Sequence, residues 1–287
     1  MSKIAILVDS GCQIELEQYE KDHIFVVPLC ITMKGKTYLD QKDITSIEVF
    51  ETMQKEDIMV MTSQPATGEM VKMVEKIKKL GYDEIIGLPI ATGLSSTLNG
   101  MKVACDMVGI PVTLVDTKGT AGNHKYLTFI ASQLVSEGKS SCEIADILEK
   151  MVEESGTIIM APNLDHLKKG GRITPAVALL AGMLKIVPVM ELNYDLGGKI
   201  DTLAKVRTLS KAKVTIVNRM IELGVNAQEY KFTIEHVLCE ESANDIKKLI
   251  FEKIGQVELE LRELPAVVGA HMGVGGIGVQ YIKKYVG

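Results

Sequence analysis

The feature that most constrains the fold is the order of apolar runs in the first half, where strand-like segments alternate with helix-like ones. Lys3 to Val8 reads as a strand ended by the turn residues Asp9-Ser10-Gly11. Ile24 to Met33 is a second run, interrupted by Pro28, and Ile58 to Met61 is a third, stopped by Thr62-Ser63-Gln64-Pro65. A helical segment follows, with Met70, Met73, Val74 and Ile77 on one face and Glu69, Lys72, Glu75 and Lys76 mostly on the other. Gly81 ends it, being free to take left-handed backbone. A strand Glu84 to Pro89, the turn Ala91-Thr92-Gly93, a helix from about Ser95 to Val108 and a strand Val112 to Val115 continue the alternation. Helices over Gly122 to Ser136 and Ser141 to Glu154 complete it. Continuous apolar strands separated by helices predict an α/β unit whose parallel sheet is covered on both faces.

The second half changes character. A strand over Thr157 to Met160 leads to a short helix and the turn Lys168-Lys169-Gly170-Gly171-Arg172, then to an apolar helix over Ala176 to Leu184. Ile186 to Leu192 and Lys199 to Val206 flank Asp195-Leu196-Gly197-Gly198, which reads as a hairpin. Lys231 to Leu238 and Gln256 to Leu261 flank a helix over Ser242 to Ile254. This order predicts an α+β unit with a mixed or antiparallel sheet and helices on one face. At 287 residues two domains are expected, residues 1–156 and 157–287, divided near Gly156.

Composition removes several classes of function. A net charge of -5, with no Trp, five Phe and eight Tyr, lacks both the basic footprint and the stacking surface of a nucleic-acid binder. Ala176 to Leu184, the longest apolar candidate, falls far short of the ~18 residues needed to span a bilayer. No integral membrane segment is therefore expected, and MSKIAILVDS reads as a first strand rather than a signal peptide. The five cysteines are scattered with no C-x-x-C spacing, so neither a metal site nor a redox motif is supported. Free thiols in a reducing cytoplasm are the plain expectation. Fifteen methionines suit surfaces that adapt to an apolar ligand, although gap-filling in an aromatic-poor core accounts for most of them.

Ligands of open α/β sheets bind beyond the carboxyl ends of the strands. Two segments are expected to leave such ends, Met61-Thr62-Ser63-Gln64 and Ala91-Thr92-Gly93-Leu94-Ser95-Ser96-Thr97. The second runs into a helix, whose free N–H groups attract an anion, and Gly93 permits close backbone approach. From the spacing alone, the plainer reading, that Ser95 or Ser96 merely caps its helix, is favoured over an anion site. A nucleophile elbow needs G-x-S-x-G, and here Thr97 stands in the last position, so no catalytic serine is expected. Residues 273–278 match G-x-G-x-x-G, but only nine residues follow, too few for a dinucleotide-binding unit. A strand ending at His271 before this glycine turn would instead present an imidazole at a site edge. From Thr202 to Ile221 there are five basic residues, Lys205, Arg207, Lys211, Lys213 and Arg219, and no acidic ones. Such a strip is either a solvated face or a docking surface.

Six segments in order resemble the DegV family across the whole chain. They are Ile6-Leu7-Val8-Asp9-Ser10, Thr62-Ser63-Gln64-Pro65, Gly93-Leu94-Ser95-Ser96-Thr97, Leu167-Lys168-Lys169-Gly170-Gly171-Arg172-Ile173, Lys205-Val206-Arg207-Thr208 and the His271-x-Gly turn. The resemblance implies an N-terminal α/β domain, a C-terminal α+β domain and one long-chain fatty acid in a buried tunnel. It implies a lipid-binding carrier rather than an enzyme, with no other cofactor and no metal, partnered by the catalytic subunit of a fatty acid kinase. By position, Thr62, Ser95 and His271 would hold the carboxylate, the Ser96 backbone N–H would assist, Arg172 would brace the site and Arg207 would dock the partner. Two positions depart from the family pattern: Ser96 stands where Gly is usual, and Val274 where Pro is usual. A competing reading is a phosphate-binding transferase that uses the Ser95 helix start with Lys168, Lys169 and Arg172.

Overall fold

The computed structural model describes residues 2–180 and 186–287. Its first strand is β1 (Ile4–Asp9), and Pro28 splits the second apolar run into β2 (Ile24–Val27) and β3 (Cys30–Met33). Proline has no amide to give a ladder, so the chain leaves one sheet there and enters another. β4 (Lys36–Leu39) returns along β3 through Lys34 and Gly35, both at positive φ. Helix α1 (Ser46–Glu56) starts at a capping box in which the Glu48 amide donates to Thr45 Oγ1 and the Thr45 amide to Glu48 Oε2. The first half continues with β5 (Met61–Ser63), α2 (Thr67–Lys79), β6 (Glu84–Leu88), α3 (Thr97–Val108), β7 (Val112–Leu114), α4 (Ala121–Ser136) and α5 (Ser141–Glu153).

Four of these strands form the expected parallel sheet, in the order β2-β1-β6-β7. Strand alternation sends Leu7, Phe25 and Ile85 to the face under α2 and α3, with Met70, Val74 and Met101. It sends Ile6, Val8 and Ile86 to the face under α4 and α5, with Leu127, Ile130 and Leu148. The run Ile58 to Met61 does not join this sheet. Its strand is the short β5, which pairs antiparallel with β3 in a separate sheet ordered β4-β3-β5. Thr62 therefore sits inside a strand, opposite Ile31, rather than on a loop beyond a parallel strand.

The second half holds β8 (Ser155–Met160), α6 (Asp165–Gly170), α7 (Pro175–Ala178), β9 (Val187–Asn193), β10 (Asp201–Val206), α8 (Leu209–Glu222), β11 (Tyr230–His236), α9 (Glu240–Lys253), β12 (Glu258–Glu263), α10 (Ala266–Met272) and β13 (Ile277–Lys283). Its sheet runs β10-β9-β8-β13-β11-β12. All neighbours are antiparallel except β11 and β12, so the sheet is mixed, and β9 and β10 form the expected hairpin. Ile158, Met160, Phe232, Ile234 and Val279 face one side, against Ile216, Val217, Ile246 and Ile250 of α8 and α9. Thr157, Ile159, Glu235, Gly278 and Gln280 face the other side and line a cavity. Of the apolar helix expected over Ala176 to Leu184, the described part is the single turn α7, and residues 181–185 lie outside the described residues. Among the described residues no helix is long and apolar enough to cross a membrane.

Candidate functional site

The cavity lies between the inner face of the six-stranded sheet, β5, the turn after β6, α6 and α10, and encloses about 800 Å³ of empty space including its opening. Leu29, Ile90, Leu94, Ile159, Leu167, Leu192, Ile200, Leu264 and Val267 make its wall predominantly apolar. The motif at the end of β1 positions two of these. Asp9 accepts from the Ile90 amide through Oδ2 at 2.8 Å and from the Gly11 amide through Oδ1 at 2.9 Å, and Ser10 Oγ accepts from the Leu29 amide at 3.0 Å. Burial pushes the Asp9 carboxyl up to about 7, against those two backbone hydrogen bonds.

Polar groups converge on one part of this wall. Thr62 Oγ1 and His271 Nε2 are hydrogen-bonded at 2.7 Å, across 209 residues of sequence. His271 does not end a strand. It occupies the last turn of α10, which Gly273 closes at a φ of 72°. Gly273 is needed there, because a Cβ would also meet His166 at 2.9 Å. Desolvation, and then the neighbouring Arg172 and His166, hold the His271 pKa down at about 4, so the ring is neutral at neutral pH. Its Nδ1 side rests on Gly170, where a Cβ would stand 2.3 Å from Nδ1. The G-G-R-I motif thus has a local explanation. Gly170 admits the imidazole, Gly171 ends α6 at a φ of 71°, and Arg172 turns back to donate from Nε to the Leu94 carbonyl at 3.2 Å and from Nη1 to the Gly170 carbonyl. Arg172 thereby ties the end of α6 to the turn that carries Ser95, and it also lines the cavity.

Ser95 lines the cavity two residues before α3 begins at Thr97. Its Oγ pairs with Thr97 Oγ1 at 2.8 Å and accepts from the Thr97 amide at 3.3 Å, so part of its hydrogen-bonding capacity goes to the helix start. Ser96 is the N-cap residue but makes no side-chain capping bond; it is exposed and off the cavity lining. Gly93 does permit a close approach, though to a different partner than a ligand. Its missing Cβ would fall 2.1 Å from the Gly198 carbonyl oxygen in the β9–β10 turn. Arg207 is exposed between β10 and α8, away from the lining, in a segment where Val206 is buried and Thr208 caps α8 by accepting from the Lys211 amide at 3.2 Å. The basic strip divides: Lys213 pairs with Asp245 at 2.8 Å and Arg219 with Glu191 at 3.1 Å, while Lys205, Arg207 and Lys211 face solvent.

The structure thus gathers Thr62, Ser95, Arg172 and His271 at the cavity and leaves Ser96 and Arg207 outside it. Sequence reasoning missed Gln64, Thr120, Thr157, Glu235 and Gln280, which also line it. The signal for Glu235 was present: a lone carboxylate inside the continuous strand Tyr230–His236 has to face something polar.

A family model described as "Uncharacterised protein, DegV family" matches residues 3–284. A DegV domain-containing protein of Staphylococcus aureus is 31% identical over 284 residues, covering 99% of this chain and 100% of that one. Among solved structures, DegV of Bacillus subtilis, described as a fatty acid binding protein, is 28% identical with a TM-score of 0.87, covering 99% of this chain and 100% of that one. A fatty acid binding DegV family protein of Streptococcus agalactiae is 25% identical with a TM-score of 0.89, at the same coverage of both chains. Similar from end to end in sequence and in fold, the chain belongs to the DegV family.

Proposed function

We propose that this protein holds one long-chain fatty acid in the cavity, with the carboxylate at Thr62, Ser95 and His271, and presents it to a separate kinase that forms the acyl phosphate. The observation that carries this reading is the hydrogen-bonded Thr62–His271 pair set into a wall that is otherwise largely apolar. The printed descriptions of the Bacillus subtilis and Streptococcus agalactiae relatives as fatty acid binding proteins support it. With His271 neutral, its Nε2–H donates to Thr62 Oγ1 and leaves the threonine hydroxyl proton for the ligand. Ser95 donates to the carboxylate while still accepting from the Thr97 amide. Each buried methylene contributes roughly 0.8 kcal/mol, so a sixteen-carbon tail supplies on the order of 10 kcal/mol before ordering costs. The tail sets affinity, and the polar residues keep a buried anion from being unpaired.

Lys168 and Lys169 are exposed at the end of α6 and do not line the cavity, which leaves the phosphate-binding alternative without two of its three cations. Native mass spectrometry of the purified protein should show a bound acyl chain. A ligand-free protein that also fails to take up added palmitate or oleate would refute the reading. Arg207→Ala should weaken capture of a kinase catalytic subunit while ligand binding is retained; unchanged capture would move the docking surface elsewhere.

A further inference from the structure

The sheet side of the cavity carries a second polar patch, built from residues that the carboxylate grip does not use. Glu235 on β11 lines the cavity and is fully buried. Its Oε1 accepts from Arg262 Nε at 3.0 Å, and its Oε2 has no hydrogen-bond partner among the described residues. Burial pushes its carboxyl pKa up, against the Arg262 cation and the nearby Gly122 amide. The polar neighbours that share this face are already closed on one another. Gln280 Nε2 donates to the Thr120 carbonyl at 2.9 Å and to Thr157 Oγ1 at 3.2 Å, its Oε1 accepts from the Asn123 amide at 3.0 Å, and the Thr120 hydroxyl donates to the Gly11 carbonyl at 3.2 Å. Glu235 Oε2 is thus the open acceptor of the patch. The residue opposite Glu235 on β13 is Gly278, also in the lining, so no side chain from that neighbour screens the carboxylate.

Glu235 Oε2 is already shut off from solvent without a donor, and a plain alkyl chain laid along this wall leaves that unfavourable state in place. A hydroxyl on the chain would supply that donor, and the ion pair with Arg262 places that bond in the stronger, charge-assisted class. We propose that Glu235 is a selectivity site for hydroxylated acyl chains, its Oε2 accepting from a hydroxyl group carried on the chain of the bound acid. The inference rests on the fatty-acid reading above and adds the class of chain.

The test uses full-length protein stripped of lipid. It compares octadecanoic acid with monohydroxy-octadecanoic acids whose hydroxyl moves stepwise from mid-chain to the terminal carbon. At least one isomer should bind about tenfold tighter than octadecanoic acid, the step expected of one added charge-assisted hydrogen bond. That preference should shrink in Glu235→Gln. It should vanish when Glu235→Leu is combined with Arg262→Leu, which removes the charge pair without stranding either partner. Octadecanoic acid should bind the double variant at least as well as the wild type. Should the double variant fail to fold in a urea titration, the single variant decides. Octadecanoic acid binding as well as every isomer would mean that water satisfies Glu235, and would overturn the inference alone, as would a preference that survives both variants. Failure of all the acids to bind would instead defeat the fatty-acid reading itself.

Discussion

Gly170→Ala is the substitution whose effect depends most sharply on the site geometry. Gly170 is the last residue of α6 and keeps helical backbone, where alanine is normally the better residue by roughly 0.5–1 kcal/mol. The alanine methyl, however, would stand 2.3 Å from His271 Nδ1 and 2.8 Å from its Cε1. Ordinary heavy-atom contact is about 3.5–4.0 Å, so the ring has to retreat by more than about 1 Å. It cannot do so without straining its 2.7 Å hydrogen bond to Thr62. Overpacking of this kind costs about 1–3 kcal/mol, and a broken bond that leaves a buried partner unpaired costs about as much again. Set against the helix gain, Gly170→Ala should destabilise the protein by about 1–5 kcal/mol. In a His271→Ala background the ring is gone, the methyl has room, and the same change should be neutral or stabilising by up to about 1 kcal/mol. The four proteins form a double-mutant cycle, read by urea denaturation with equal m-values, and the coupling should reach about 2 kcal/mol. Fatty-acid affinity should fall with Gly170→Ala alone in the wild-type background. A cost of the same sign and size in both backgrounds would refute the account of why glycine stands at this position.

Thr62→Val keeps the side-chain shape but strands His271 Nε2, so stability should drop by about 1–3 kcal/mol and palmitate affinity by about tenfold or more; Thr62→Ser should restore most of both, and unchanged binding would place the carboxylate elsewhere. The folded protein keeps His271 neutral down to about pH 4, whereas the unfolded imidazole takes its proton near 6.5, so the unfolded state binds more protons between those values and stability falls as pH drops through that window. His271→Gln should flatten the fall by on the order of 2–3 kcal/mol at pH 4. The difference between the two stability curves is the informative quantity, because buried His124 slopes the same way while Asp9 and Asp40, each raised to about 7 chiefly by burial, lose their contribution as pH rises. Identical curves for wild type and variant would refute the assignment. Gly93→Ala would drive a methyl to 2.1 Å from the Gly198 carbonyl, backbone against backbone, so it should destabilise more than Gly170→Ala and should displace the Ser95 turn; a melting temperature within a degree or so of wild type would refute that packing.

The parallel sheet was legible in the sequence because its strands are short, continuous and separated by periodic helices, and hydrophobic period reports on that directly. The errors fell where period stops being informative. Ile58-Met59-Val60-Met61 looks like any buried strand, yet the ladder uses only Met61–Ser63, in a second sheet. β13 was hidden because Gly273, Gly275, Gly276 and Gly278 suggest a turn, while Ile277, Val279 and Tyr281 in fact alternate into the core of the larger sheet. In α8 the basic side chains dominate the sequence pattern, although Ala212, Ile216, Val217 and Met220 recur at helical spacing beneath that basic face. The helix that carries His271 is hidden for the same reason, since seven residues from Ala266 to Met272 are too few to declare a helical period.

The candidate site was legible as a set of residues but not as a set of contacts. Thr62 and His271 lie 209 residues apart, and nothing local to either predicts that they meet. What brings them together is a series of backbone decisions elsewhere. Pro28 moves the chain into the small sheet that carries Thr62, Gly170 clears a slot for the imidazole, and Arg172 fastens that slot to the turn bearing Ser95. Most residues of the six segments hold the frame and few line the cavity: Asp9 and Ser10 pin Ile90 and Leu29, Gly93 seats a turn on the second half, and Thr208 caps a helix. This arrangement couples stability to binding. A substitution that loosens the slot should weaken the grip on a carboxylate even where it touches no ligand, and Gly170 is the position at which the two effects can be separated by removing a single ring.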